Sequence, residues 1–193
     1  MARRPADPVP SAERLARDAA RRAERDDDGA AHGAVVAERV ERVRVEAQVL
    51  GITTDWSRTA AAGPAVLVQA RGEAIGIAIG NLLAIALRYT PRGGRVRVGV
   101  AARGCNAIVV VEDSGPGVAA DEAARIFEAF ARGRAGRSAD EREPIRGLGL
   151  GLSSARRIAE HYGGDLELGT GSLGGAAFVI GLPVFSDDSS PRG

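Results

Sequence analysis

Three observations predict an α/β two-layer sandwich, a mixed β-sheet with helices on one face. Stretches of helical and of strand periodicity alternate along the chain, the pattern of a helix layer packed on a sheet. The run Ala107-Ile108-Val109-Val110-Val111 is continuously apolar, as a strand buried at the centre of a sheet must be. Two glycine-rich turns, Asp113-Ser114-Gly115-Pro116-Gly117 and Gly147-Leu148-Gly149-Leu150-Gly151-Leu152, come after that run, late in the chain. A Rossmann domain carries its glycine motif in its first strand-helix turn, so this order does not suit one.

Residues 1–31 are dense in Arg, Asp, Glu and Ala, and Leu15 is the one large aliphatic side chain in the stretch. With no apolar stripe to bury, it reads as a disordered or loosely helical charged tail. The predicted domain runs from 32 to 184, and residues 185–193 read as a polar tail. Residues 34–49 mix Ala and Val with charges at near-helical spacing, and Gly51 stops that helix. Residues 52–56 and 65–69 read as short strands separated by an Ala/Gly/Pro loop.

Residues 73–89 carry mixed signals. Ile75, Ile77 and Ile79 alternate as in a strand, and Gly76 and Gly80 each weaken a helix by about 1 kcal/mol relative to Ala. From Leu82 onward the pattern is helical. Residues 95–100 alternate polar and apolar, so one face of that strand is wet. Asp121 is expected to cap a helix reaching about Phe130. Residues 131–146 are rich in Arg, Gly and Ser without periodicity and read as a mobile loop. A helix follows from about Leu150 to His161 and ends at Gly163-Gly164. Residues 165–169 and 176–182 close the sheet as two antiparallel strands.

Composition narrows the function classes. The chain has 193 residues, which suits one domain with tails. Aromatic residues make up 4% against 45% hydrophobic, so the core is built from Ala, Val, Leu and Ile. A net charge of +1 provides no strong field toward nucleic acid or a membrane surface. All 26 basic residues are Arg; with no Lys, no P-loop can form. Cys105 is alone, so the chain has no internal disulfide and no thiolate metal cluster. No apolar run approaches the roughly 18 residues of a membrane span, so nothing is expected to cross a bilayer, and the N-terminus lacks the apolar core of a signal peptide. A cytoplasmic location is expected.

The two glycine turns describe a nucleotide pocket. Asp113 directly follows the buried strand, at a pocket rim. There it can accept a hydrogen bond from a ligand, or only start an Asx turn before Gly115. Gly115 and Gly117 let backbone approach a ligand closely. Gly147, Gly149 and Gly151 precede a helix whose free N–H groups and dipole favour phosphate; the plainer alternative is a hinge.

Four blocks in this order resemble the ATP-binding domain of sensor histidine kinases, within the wider family of gyrase, Hsp90 chaperones and MutL proteins. They are Asn81-Leu82-Leu83-Ala84-Ile85-Ala86-Leu87-Arg88-Tyr89-Thr90-Pro91 (the N-box), Asp113 to Gly117 (the first glycine box), Ile126-Phe127-Glu128-Ala129-Phe130 (the F-box) and Gly147 to Leu152 (the second glycine box). His161-Tyr162-Gly163-Gly164 and a last strand ending at Pro183 follow in the usual order, so the resemblance spans roughly residues 33–184. It implies that Asp113 selects adenine through the N6 amino group. It implies that Tyr89 lines the cleft and that Arg88 reaches phosphate. Gly115, Gly117, Gly147, Leu148, Gly149, Leu150 and Gly151 would complete the nucleotide site. The loop 131–146 would be the lid, with Arg132, Arg134 and Arg137 near the phosphates, and Phe127 and Phe130 would pack its base.

One position departs from the family. Registering Arg88-Tyr89-Thr90-Pro91 places Ile85 where the resembled kinases carry the Asn that binds Mg²⁺. Mg²⁺ demands oxygen ligands, and Ile85 has none. Asn81 lies one helical turn earlier, on roughly the same face, and is the substitute ligand and catalytic-site amide in this reading. The expected cofactor is ATP, with Mg²⁺ binding put in question by Ile85. His32 is followed by Gly33 and lacks the sequence of a phosphoacceptor, and His161 suits a helix C-terminus.

The resemblance therefore implies transfer of the ATP γ-phosphoryl group to a histidine supplied in trans. The partner would be a histidine-bearing dimerisation domain or a response-regulator pathway protein. Ile85 favours an alternative, a degenerate pseudo-kinase that binds and regulates a partner. An anti-sigma-factor-like serine kinase would also need the metal-binding Asn. A gyrase or Hsp90 type ATPase would carry a general-base Glu where Asn81 stands.

Overall fold

The apolar spacing in the middle of the chain resolves as a helix once its tertiary partners are present. The computed structural model describes residues 33–58, 68, 70–103, 105–131 and 149–184. Its elements are α1 (Gly33–Leu50), β1 (Thr53–Arg58), α2 (Gly72–Tyr89), β2 (Arg95–Arg103), β3 (Asn106–Asp113), α3 (Gly151–His161), β4 (Asp165–Thr170) and β5 (Ala176–Pro183). In α2, Ile75, Ala78, Ile79, Leu82, Leu83, Ala86 and Leu87 are buried, a stripe at helical spacing. Ile77 is left exposed, so the strand-like alternation of Ile75, Ile77 and Ile79 has no structural counterpart. Ile79, Leu82 and Leu83 are fully buried, each contributing about 1.5–3 kcal/mol.

Gly76 makes room for a side chain of the neighbouring helix. A β-carbon there would lie 2.6 Å from Nε of Arg39, whose guanidinium crosses from α1. No atom lies within 4 Å of a β-carbon built at Gly80, and nothing in the structure explains that residue. Thr90 ends the helix: its N–H and its Oγ1 both donate to Ala86 O. Pro91 follows and disfavours helical backbone at Thr90.

The sheet has five strands in the order β1-β2-β3-β5-β4. The β1–β2 pairing is parallel and the others are antiparallel, which makes the mixed sheet expected from the sequence. β3 is central, and Ala107 to Asp113 are all buried. Val96, Val98, Val100, Val109, Val111, Phe178, Ile180 and Leu182 form one core with the helices. Ile108, Val110, Ala177 and Val179 form a separate cluster on the opposite face. In α1, Val36, Val40 and Ala47 are buried while Val45 and Val49 are exposed, so only part of its valine content reaches the core.

Several expectations change. Of the strand expected at 65–69, the described residues show one bridge, Val68 to Val184. The helix expected from Asp121 to Phe130 is instead a run of turns. Bonds to i−3 and i−4 alternate there, as in Glu122 N to Ala119 O and Ile126 N to Glu122 O, and Phe130 adopts φ 65°. α2 has the length and mean hydropathy (1.3) of a membrane span. Its isoleucines, leucines and alanines sustain that average across Glu73, Asn81 and Arg88. Ile75, Ile79, Leu82, Leu83 and Leu87 are buried in this fold. The terminal segments 1–31 and 185–193 lie outside the described residues.

Candidate functional site

Close glycine contacts bring the predicted blocks together. A β-carbon on Gly115 would lie 2.6 Å from Tyr89 O and 2.9 Å from Asp113 Oδ1, so the first glycine box packs on the end of α2. A β-carbon on Gly151 would lie 3.1 Å from Ile85 Cδ1 and 3.8 Å from Asn81 Cβ, so the start of α3 packs on the same helix. Gly149 has φ +69°, and a β-carbon on it would lie 2.8 Å from the Phe130 backbone. The Phe130 N–H donates to Gly149 O at 2.9 Å, which ties the F-box to the second glycine box. Gly117, at φ +72°, faces Gly175 in the β4–β5 turn.

Asp113 ends the central strand and is 2% exposed. Strand alternation points it toward the helix face, with Val109 and Val111, and points Glu112 to the other face. Asp113 Oδ1 accepts from Gly115 N at 2.8 Å and from Ala176 N at 3.2 Å. The first of these is the Asx turn that the sequence allowed. It engages one oxygen, and Oδ2 makes no hydrogen bond with the described residues, so an acceptor remains for a ligand. Burial pushes the Asp113 carboxyl above the ordinary carboxylate range, and the two backbone N–H bonds oppose that rise.

The N-terminus of α3 forms the other end of the site. Leu150 is its N-cap and makes no side-chain cap, and the first turn holds no acidic residue. Among the described residues no side chain caps the first-turn N–H groups, a local arrangement suited to anions. Tyr89 is half-buried and Arg88 is exposed at the end of α2. Gly147, Leu148, Arg132, Arg134 and Arg137 lie outside the described residues. Phe127 packs against the core beneath the Arg156 guanidinium, 5.2 Å from its ring centre. Phe130, at φ 65°, is 70% exposed, and residues 132–146 of the lid it is expected to pack lie outside the described residues. His161 is exposed at the C-terminus of α3, edge-on to Tyr162.

At position 85 the donor set does not fit Mg²⁺: Ile85 is half-buried, packs against the core and offers no oxygen. Asn81 offers one amide oxygen a helical turn earlier, and Mg²⁺, which keeps waters and takes phosphate oxygens, still needs a protein oxygen at position 85 to fix it there. Among the described residues no group of three or more His, Cys, Asp or Glu side chains could hold a metal.

Sequence reasoning missed the far wall of the site, the β4–β5 turn with Gly175 and Ala176. A β-carbon on Gly175 would overlap Asp113 Oδ1 and lie 2.7 Å from Gly115 N. Gly174-Gly175 could have marked the turn, and Glu112 could have been flagged as a lone charge in a buried strand that requires a partner.

Residues 71–186 match the family profile described as histidine kinase-, DNA gyrase B- and HSP90-like ATPase. The chain is 41% identical over 113 residues to the sensor protein kinase PmrB of Pseudomonas aeruginosa, covering 58% of this chain and 22% of that protein. It is 34% identical over 151 residues to the sensor protein CutS of Streptomyces coelicolor, covering 78% of this chain and 34% of that protein. The matches thus span between about a fifth and two fifths of the length of the curated relatives. Among solved structures, a mycobacterial sensor histidine kinase, MprB, aligns with a TM-score of 0.67 at 27% identity, covering 79% of this chain and 95% of that one. Full-length ShkA in complex with AMPPNP aligns with a TM-score of 0.66 at 28% identity, covering 81% of this chain and 31% of that one.

Proposed function

Because the chain belongs to the histidine kinase-, DNA gyrase B- and HSP90-like ATPase family, we propose that it is the ATP-binding catalytic part of a sensor histidine kinase. In this reading it transfers the γ-phosphoryl group of ATP to a histidine of another domain in two-component signalling. The observation that carries the reading is the opposition of two features across one helix. The Asp113 carboxylate meets the end of α2 through Gly115, and the uncapped start of α3 meets α2 through Gly151. The ShkA likeness, to a structure holding an ATP analogue, supports the same ligand class.

Asp113 Oδ2 accepts from the N6 amino group of adenine; guanine presents a carbonyl oxygen there and is disfavoured. Gly115 and Gly117 admit the base, and Tyr89 lines the cleft. Arg88 and the N–H groups at Gly149, Leu150 and Gly151 hold the phosphates. The accepting imidazole nitrogen forms a bond to the γ-phosphorus as the bond to the bridging oxygen breaks, leaving ADP. The protein contributes position and charge neutralisation. The proposed substrate places the domain in the cytoplasm, and the histidine-bearing domain and response regulator are its proposed partners. Ile85 favours a second reading, a pseudo-kinase that binds nucleotide and regulates a partner without transfer.

The test supplies radiolabelled ATP, Mg²⁺ and a separate histidine-bearing helical hairpin from a related sensor kinase. Acid-labile label on the hairpin and none on this chain is expected. Tight ATP binding with no label on the hairpin would select the pseudo-kinase, and no ATP binding would end both readings.

A further inference from the structure

Asp113 and its neighbour Glu112 grip the same turn from opposite faces of the sheet. Glu112 is 2% exposed and points away from the helix layer. Its Oε2 accepts from Ser172 Oγ at 2.8 Å, and Ser172 Oγ in turn accepts from Arg97 Nη1 at 3.3 Å. Glu112 Oε1 is buried without a hydrogen-bond partner, so among the described residues Ser172 is the side chain hydrogen-bonded to this carboxyl, with the Ser172 backbone and the Arg97 charge also acting on it. Arg97 lies directly across the β2–β3 ladder from Glu112. The turn that carries Ser172 is closed internally by Gly171 N to Gly175 O at 3.0 Å. It then returns to β3 twice: Gly175 N donates to Asp113 O at 3.1 Å, and Ala176 N donates to Asp113 Oδ1 at 3.2 Å.

A β-carbon on Gly171 would lie 3.4 Å from Glu112 Cβ, so the turn rests directly on the Glu112 side chain. The path from Glu112 to the pocket is short and covalent apart from two hydrogen bonds, one at each end. It runs from Oε2 to Ser172, along the turn to Ala176, and from that amide to Asp113 Oδ1. Holding Oδ1 with the Ala176 amide fixes the rotation of the carboxyl group, and that rotation aims Oδ2.

We propose that Glu112 is a positioning residue for base recognition, acting through Ser172 on the turn that orients the Asp113 carboxylate. This rests on the reading of Asp113 as the adenine acceptor. Ser172 is exposed, and loss of its hydroxyl leaves a small cavity open to water, so the fold survives its removal. Water that enters in its place is not tethered to the turn, so it does not restore the link between Glu112 and Ala176.

The test measures binding of a non-hydrolysable ATP analogue and of the matching GTP analogue to the full chain, with thermal unfolding alongside. Ser172→Ala is expected to weaken the adenine analogue about three- to tenfold, the effect of one hydrogen bond, and to narrow the preference over guanine by the same factor. Ser172→Thr, which keeps the hydroxyl, restores both. Glu112→Gln, whose amide oxygen still accepts from Ser172, keeps the adenine preference. The Ala176 amide resonance shifts in Ser172→Ala and returns in Ser172→Thr. A purely structural Ser172 would lower the unfolding temperature and leave the adenine-to-guanine ratio unchanged, which would overturn the proposal. Asp113→Asn separates the two levels. If it leaves affinity intact, the base-site reading itself fails; if it abolishes preference while Ser172→Ala does not, only the positioning role fails.

Discussion

Ile85 on α2 and Gly151 at the start of α3 face each other so closely that a β-carbon on Gly151 would lie 3.1 Å from Ile85 Cδ1. The residue that departs from the family pattern therefore lies against the helix end proposed to hold phosphate. Its aliphatic surface fills the place where the resembled kinases present an amide oxygen.

This contact makes a packing prediction. Gly151→Ala gains about 1 kcal/mol of helix propensity, but in the wild type the new methyl meets Ile85. In an Ile85→Ala background that obstruction is gone. Denaturant unfolding of the four variants should show a coupling of roughly 0.5–3 kcal/mol, with Gly151→Ala more stabilising in the Ile85→Ala background. Strict additivity would mean that the two side chains do not share the space.

Gly149 joins the F-box turn to the second glycine box. Its positive φ and its 2.8 Å approach to the Phe130 backbone leave no room for a side chain. Gly149→Ala should destabilise the domain by about 1–3 kcal/mol, and it should weaken nucleotide binding because the start of α3 moves. Unchanged unfolding in denaturant would show that the turn relaxes freely.

Asp113→Asn should weaken an adenine nucleotide by roughly 1–3 kcal/mol. The amide nitrogen can present a donor to the N6 amino group where an acceptor is required. The unfolding temperature should move little, because the side-chain oxygen can still accept from Gly115 and Ala176. Titration calorimetry and thermal unfolding on one preparation separate the two effects.

Glu112 predicts a slope with pH. Burial raises its carboxyl above the ordinary value of 4.5, opposed by Ser172 and Arg97. The folded state then holds the proton more tightly than the unfolded chain. The stability this provides is complete below the unfolded value and is lost as pH rises through the folded one. Glu112→Gln cannot ionise, so its stability relative to the wild type should grow as pH rises from about 4.5 toward neutrality. A difference that is flat with pH would contradict the assignment of a raised value.

The fold was legible where periodicity was strong and local. The continuous apolar run of β3 and the alternation of β2 identify a central strand and its neighbour. The amphipathic spacing of α1 emerges despite Val45 and Val49, which it leaves in solvent. Residues 121–130 were misread because an Asp followed by Ala, Arg and Ile imitates a capped helix. The chain instead turns outward at Phe130, held by the hydrogen bond to Gly149. The pocket was legible as glycine boxes, since Gly115 and Gly149 stand where backbone approaches too closely for a β-carbon and Gly151 packs tightly on Ile85. The role of the turn at Gly171–Gly175 was not, because it depends on β5 pairing with the distant strand β3, which no local pattern announces. Ile85 needed no coordinates to stand out, but its contact with Gly151 did.

The domain is proposed to bind adenine nucleotide with a metal position disabled by Ile85. Titration calorimetry with an ATP analogue, in Mg²⁺ or in chelator, on the wild type and on Ile85→Asn, tests it most directly. Ile85 is half-buried, so the substitution should cost about 1–3 kcal/mol of stability and leave a folded domain. The wild type should bind with nearly equal affinity in both conditions. Ile85→Asn should bind about tenfold or more tightly with Mg²⁺ than without it, because one oxygen then fixes the ion beside the phosphates. Strong Mg²⁺ dependence in the wild type would show that Asn81 or another group already holds the metal, and would contradict the claim.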